Sequence, residues 1–194
     1  MLLKKKSIIP DLVTSGLDTV AIRVPAHPLA KLLLEQLNFP LAAPSANPFG
    51  YISPTSAYHV YDQLHGRIPY ILDGGVTEVG VESTIVGFEN DEAVVYRLGG
   101  LSVEEIESVA GKVSVNVNES SNPQSPGMLK SHYAPRKNLT VRQFDDVIIE
   151  KQYSTTGVIA FDKYLEGYER KNQILLSPSG DLKEAAKNLF AAMR

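Results

Sequence analysis

Between Leu41 and Arg97, short apolar segments end again and again in small hydroxyls, glycines and an arginine. The run holds Ala-Pro-Ser-Ala-Asn (Ala43 to Asn47), Ile-Ser-Pro-Thr (Ile52 to Thr55), Leu-Asp-Gly-Gly (Leu72 to Gly75), Gly-Val-Glu-Ser-Thr-Ile (Gly80 to Ile85) and Tyr-Arg-Leu-Gly-Gly (Tyr96 to Gly100). A cleft for a phosphorylated ligand needs close backbone approach, neutral donors and a fixed positive charge. The run reads as part of a nucleotide-using enzyme.

Individual residues admit more than one chemistry. Arg23 lies on an alternating stretch and could grip a carboxylate through two nitrogens, or pair on the surface with Asp18. Ser53 before Pro54 reads first as an N-cap, and a capped helix start can also receive a phosphate. Ser45 and Asn47 are ordinary residues of a proline turn. Ser83 suits a cross-strand hydroxyl contact, and its neighbour Glu82 is an acid–base group without an assigned role. Arg97, just before Gly99-Gly100, can neutralise a phosphate where glycines let a ligand reach the backbone. His27, His59 and His65 lack metal-ligand spacing, so no protein-built metal site is expected. His27 can cap the helix that follows it. His132 and Tyr133 could simply pack against a domain surface, and Lys4 to Lys6 is an ordinary solvated run.

The elements that must position these groups are legible in pattern. Thr19 to Val24 alternates as a half-buried strand, with Thr19 and Arg23 on one face. Pro28 opens a helix over Leu29 to Leu37, and the Ser53 helix reaches about Leu64. Strands are predicted at Leu41 to Ala43, Tyr70 to Asp73, Thr84 to Phe88 and Ala93 to Arg97. Ser102 with Glu105 is a capping box for a helix to about Ala110. Asn116 to Gly127, rich in Asn, Ser, Pro and Gly, reads as linker. Beyond it, strands at Leu139 to Arg142, Gly157 to Phe161 and Gln173 to Leu176 alternate with helical segments, the pattern of a small parallel-sheet α/β unit. The expected division is 1–111, a linker 112–135, and 136–194.

Composition narrows the class. The 194 residues can bury a core, 43% hydrophobic and 21% charged content is ordinary, and zero cysteines exclude disulfides and thiol catalysis. No apolar run approaches the roughly 20 residues of a membrane span, and the start lacks the residue order of a secretory signal, so a cytoplasmic enzyme is expected. Residues 1–111 hold 7 Lys and Arg against 13 Asp and Glu, whereas 112–194 hold 12 against 9. An acidic first part argues against a broad nucleic-acid footprint there.

Five ordered segments carry a family resemblance: Thr-Val-Ala-Ile-Arg-Val-Pro-Ala-His-Pro, Ala-Pro-Ser-Ala-Asn, Gly-Val-Glu-Ser-Thr-Ile-Val, Arg-Leu-Gly-Gly, and Ser-Pro-Gly-Met followed by His-Tyr-Ala-Pro. In these the chain resembles the threonylcarbamoyl-AMP synthase family in its two-domain form. The resemblance implies an α/β fold: a partial YrdC-like twisted-sheet domain, a linker, and a small Rossmann-like parallel α/β domain. It implies an enzyme joining L-threonine, bicarbonate and ATP into threonylcarbamoyl-AMP with release of pyrophosphate, the product going to a tRNA-modifying transferase. It would give Arg23 and Ser83 to threonine, Thr19, Ser45, Ser53 and Arg97 to ATP, and Tyr133 to closure over the nucleotide, with Mg2+ arriving on the triphosphate. It further implies that the chain begins part-way through the family's first domain and stops short of its last helix, so that little activity is expected of it alone. A non-catalytic RNA- or nucleotide-binding module is the alternative, supported by the mildly basic second part. A carbamoyl-transfer accessory domain is a third reading, disfavoured by the linker motif and second domain.

Overall fold

A computed structural model of the chain describes residues 1–116, 135, 137–142 and 156–194. Strand β1 (Leu2–Lys4) pairs antiparallel with β2 (Thr19–Ala21), Leu3 facing Val20, with the short helix α1 (Asp11–Thr14) between them. Helices α2 (Pro28–Glu35) and α3 (Ala57–Leu64) follow. Strands β3 (Ile85–Glu89) and β4 (Glu92–Arg97) form a hairpin, and β5 (Val113–Val115) joins β4 in parallel after helix α4 (Val103–Ala110). The later part holds the parallel pair β6 (Val158–Ala160) and β7 (Gln173–Leu175), then helix α5 (Leu182–Ala192).

Local chemistry accounts for most of these boundaries. Asn90 and Asp91 both take positive φ, 51° and 65°, as a two-residue primed turn requires, and these residue types tolerate it. Ser102 and Glu105 exchange side-chain and backbone hydrogen bonds at 3.0 and 3.1 Å, the reciprocal cap that starts α4. Pro28 opens α2, and His27 Nδ1 accepts from the Leu29 amide at 3.2 Å. Asp181 caps α5 by accepting from Glu184 N at 2.7 Å.

The core lies on both faces of β4. Val94 and Tyr96 pack with Leu2 and Ile85, whereas Ala93 and Val95 pack with Ile106 and Val113. A strand buried on both sides reads as a continuous apolar run, as Ala93 to Tyr96 does. The Tyr96 phenol is pushed up to about 12, by burial first and then by its 2.7 Å bond to the Glu89 carboxylate.

Several expectations are corrected. Val113–Val115 belongs to the sheet and not to a linker beginning at 112, because it finds parallel backbone partners on β4. The helix expected from Ser53 starts at Ala57 with Ser56 as its cap, since the Ser53 hydroxyl is engaged elsewhere. Leu41 to Ala43 and Tyr70 to Asp73 have no regular secondary structure and join no ladder among the described residues, and Leu41, Tyr70 and Leu72 stay exposed. Leu139 to Arg142 forms no strand either: Leu139 and Val141, which should share a buried face, are both exposed. Strand β2 stops at Ala21 opposite Leu2, and Val24 beyond it is left in solvent.

Candidate functional site

The polar corner of the molecule is built where the chain enters β3 and leaves β4. Gly100 N donates to Glu82 O at 2.9 Å, and Thr84 Oγ1 both donates to Leu101 O at 2.7 Å and accepts from Leu101 N at 3.1 Å. These bonds zip residues 82–84 to 100–101 beyond the end of the ladder. Gly99 is required by that approach: a Cβ there would sit 2.3 Å from Glu82 O. The Gly99-Gly100 pair is therefore filled by protein, with Val79 against Gly100, and does not leave the backbone open to a ligand as its sequence suggested.

Onto this frame fold three side chains. Arg97 turns back so that Nε and Nη2 both donate to Ser83 O, at 2.9 and 2.7 Å. Its Nη2 also lies 3.5 Å from Glu82 Oε2, with the two side chains only 15% and 22% exposed. The other carboxylate oxygen, Glu82 Oε1, accepts from the Ser53 hydroxyl at 2.5 Å. Glu82 thus ties the turn before α3 to the start of β3 and the end of β4. A carboxylate held by a hydroxyl and a guanidinium is among the stronger polar arrangements available away from bulk water. One chemical consequence is direct. The Ser53 proton is committed to Glu82, so toward a ligand Ser53 offers lone pairs, which suit a hydroxyl or amine donor better than a phosphate oxygen.

The turn is anchored from behind. Thr77 N donates to Thr55 O at 2.9 Å, and Thr55 N donates to His59 Nδ1 at 3.2 Å. Burial, and then the positive charge of Arg194, hold the His59 imidazole below its usual value, with Asp62 acting the other way. Asn47 closes the preceding turn by donating to Pro48 O and Tyr51 O at 2.9 and 3.1 Å. Its Oδ1 is buried without a hydrogen-bond partner among the described residues.

Of the expected site residues, Ser53 and Arg97 meet at Glu82, and Ser83 joins them through its backbone carbonyl, which accepts from Arg97. Thr19, Arg23 and Ser45 are tied to that cluster by no described hydrogen bond or ion pair. Thr19 sits on β2 opposite Lys4 and lines an open hollow with Lys4 to Lys6. Arg23 is exposed just beyond β2 and has no ion-pair partner among the described residues, Asp18 included. Ser45 is exposed in the loop before α3. Tyr133 lies outside the described residues. Glu82 is the residue that sequence reasoning left without a role; the signal was present in the acid placed directly between Gly80-Val81 and two hydroxyls.

Comparison with known proteins decides the kinship. The Sua5, YciO and YrdC family, described under the name telomere recombination, matches residues 1–99. The chain belongs to this Sua5/YciO/YrdC family. A second family, described as the threonylcarbamoyl-AMP synthase C-terminal domain, matches residues 101–194. The chain is 37% identical to the threonylcarbamoyl-AMP synthase of Pyrococcus abyssi, over 100% of this chain and 60% of that protein. It is 48% identical to the enzyme of that name from Bacillus subtilis, over 66% of this chain and 38% of the other. A crystal structure of P. abyssi Sua5 complexed with L-threonine resembles the whole chain with a TM-score of 0.85 at 36% identity, and the chain covers 59% of it. The mixed α/β architecture with twisted sheets is therefore that of Sua5. The chain spans about three fifths of the length of this Pyrococcus relative.

Proposed function

We propose that the chain acts as, or within, an L-threonylcarbamoyladenylate synthase, which forms threonylcarbamoyl-AMP and pyrophosphate from L-threonine, bicarbonate and Mg2+-bound ATP. The observation that carries this reading is the likeness, over the full chain, to a Sua5 protein crystallised with L-threonine. The identities of 37% and 48% to proteins named threonylcarbamoyl-AMP synthase support it.

In this reading the amine of threonine, having lost a proton, attacks the carbon of bicarbonate, and water leaves to give a carbamate. A carbamate oxygen then attacks the α-phosphorus of ATP and pyrophosphate departs. The sequence offers no cysteine, and no covalent protein nucleophile is needed. The protein contributes orientation and charge stabilisation, the main terms in phosphoryl and adenylyl transfer. Arg23, exposed and without an acidic partner among the described residues, would take the threonine carboxylate, and Ser83 would complete the threonine side. Ser53, its hydroxyl proton engaged in the hydrogen bond to Glu82, would accept from a ribose hydroxyl or the adenine amine, and Thr19 and Ser45 would complete the nucleotide side. Arg97 would add a positive field while holding Ser83 in place, and Tyr133 would close over the nucleotide. The Mg2+ would travel on the triphosphate; among the described residues no three His, Asp or Glu side chains converge on a metal position. The product would pass to a transferase that modifies tRNA in the cytoplasm.

The test joins calorimetry to a product assay. ATP and L-threonine should each strengthen the other's binding, and Arg23→Ala should weaken threonine binding by about tenfold or more while ATP binding changes little. Equal loss of both ligands would remove the role given to Arg23. In a chain extended to the full length of its relatives, pyrophosphate release that did not depend on threonine and bicarbonate would refute the activity itself.

A further inference from the structure

The second half of the chain reaches back to the polar corner through α5 and the residue just past its C-cap. Lys183 Nζ lies 3.1 Å from Glu105 Oε1, joining the first turn of α5 to the first turn of α4. One helical turn on, the Lys187 carbonyl presses on Gly80, where a Cβ would stand 2.0 Å from that oxygen. Just past the end of α5, Arg194 Nη2 donates to Ile52 O at 3.0 Å and to Gln63 Oε1 at 2.7 Å. Positions 183 and 187 lie one turn apart on α5, and Arg194 follows its C-cap Met193. Helix α5 and the residue just past its C-cap therefore touch α4, the residue two before Glu82, and the residue one before Ser53.

The two ends of the Ser53–Glu82 hydrogen bond thus rest on α5 and on the residue that directly follows its C-cap. Gly80 fixes the approach of the Glu82 strand, because backbone meets backbone there with no side chain to yield. Ile52 fixes the Ser53 turn, because its buried carbonyl is held by a guanidinium anchored a second time on Gln63 of α3. A helix is stiff over this length, so the spacing between the two contacts sets the spacing between hydroxyl and carboxylate.

We infer that α5 is a positioning element of the site, and that Arg194 is its positioning residue, locking the Ser53 turn at hydrogen-bonding distance from Glu82. The consequence for ligand binding rests on the synthase reading above; the mechanical part does not.

The experiment compares the 194-residue chain with Arg194→Ala and Arg194→Lys. Two amides report the two ends of the corner: Thr77 N–H, bonded to Thr55 O, and Gly100 N–H, bonded to Glu82 O. Arg194→Ala should speed hydrogen exchange at Thr77 by about tenfold, the loss of one good hydrogen bond, while amides of the β3–β4 hairpin keep their rates. Histidine Cε1 signals give a second, independent readout. Removing the Arg194 charge should raise the His59 titration midpoint, since Arg194 and Asp62 are the charges that act on it. Arg194→Lys should restore both signals in large part. Exchange at Thr77 and the His59 midpoint both unchanged in Arg194→Ala would overturn the inference. So would an equal rise at every amide, which would mean a general loss of stability without a positioning role. L-threonine titrated into the chain extended to the full length of its relatives separates the two levels. If the extended chain keeps the Thr77 and His59 differences between wild type and Arg194→Ala but does not bind threonine, α5 stands as the positioning element and the synthase reading fails.

Discussion

Glu82 does at the scale of one residue what no neighbouring group could replace. It accepts the Ser53 proton through one oxygen and faces Arg97 through the other. Replacing it by glutamine keeps an acceptor for Ser53 but turns an amide toward the guanidinium, which then keeps its charge without its counter-ion. We expect Glu82→Gln to cost about 2 kcal/mol in a urea titration, below the figure for fully buried pairs because both side chains retain some solvent. A loss no greater than an ordinary surface substitution would show that the pair carries no weight. Much of this corner was legible in the residue order: Ser83, Arg97 and the hydroxyl turn were all picked out. Its organising member was not, because Glu82 meets Ser53 across 29 positions and no local pattern encodes that meeting. The same contact explains the misread cap. Ser53-Pro54 and Ser56 are equally good helix starts by local chemistry, and Glu82 decides between them by taking the first hydroxyl.

At the scale of elements, sequence and structure agree wherever the determinants lie within a few residues. The Ser102–Glu105 box, the helix opened by Pro28 and the strands at Thr84 to Phe88 and Ala93 to Arg97 follow from caps and alternation. They diverge where a strand depends on a distant partner. Leu41 to Ala43 and Tyr70 to Asp73 have the apolar character of strands, yet among the described residues they meet no ladder, and their large side chains remain in water. The prediction that belongs here concerns Gly99. Its Cβ position is occupied by the backbone of Glu82 to Thr84, so Gly99→Ala must push β3's entry away from β4's exit. Circular dichroism should show a melting temperature lower by several degrees, with a loss of about 2 kcal/mol or more. Ordinary tolerance of alanine would mean the two segments are not zipped together.

The whole molecule couples its two halves through charge as well as shape. His59 sits below its ordinary imidazole value, by burial first and the Arg194 charge second, so the unfolded chain takes up a proton more readily near neutrality. Stability from this group is complete above the unfolded value of 6.5 and falls as pH drops through it toward the folded value. Glu105, lowered by its bond to the Ser102 backbone and by Lys183, and Glu184, lowered by Ser177 and Ser179, add stability above 4.5 that is lost below it. Melting temperatures should therefore decline in two stages on acidification. His59→Gln should flatten the first, between about pH 7.5 and 5.5, and leave the second unchanged. A first stage that persists in the variant would assign it to another group. Family and fold class were legible from five ordered motifs. The reach of α5 and of the residue that follows it was not, because the partners of Lys183, Lys187 and Arg194 lie 78 to 142 positions earlier.

The burial of β4 on both faces has a kinetic corollary. On the face of Ala93 and Val95, the hairpin partner, covering helix and parallel neighbour all fall within residues 85–115, so this half of the core can assemble from chain segments that are close in sequence, with Leu2 closing the other face afterwards. Such low contact order favours early, rapid formation, with the Ser53 turn and α5 recruited afterwards onto a completed nucleus. The slowest event in reaching the native state would then be the arrival of the polar corner, after the apolar centre is already dry.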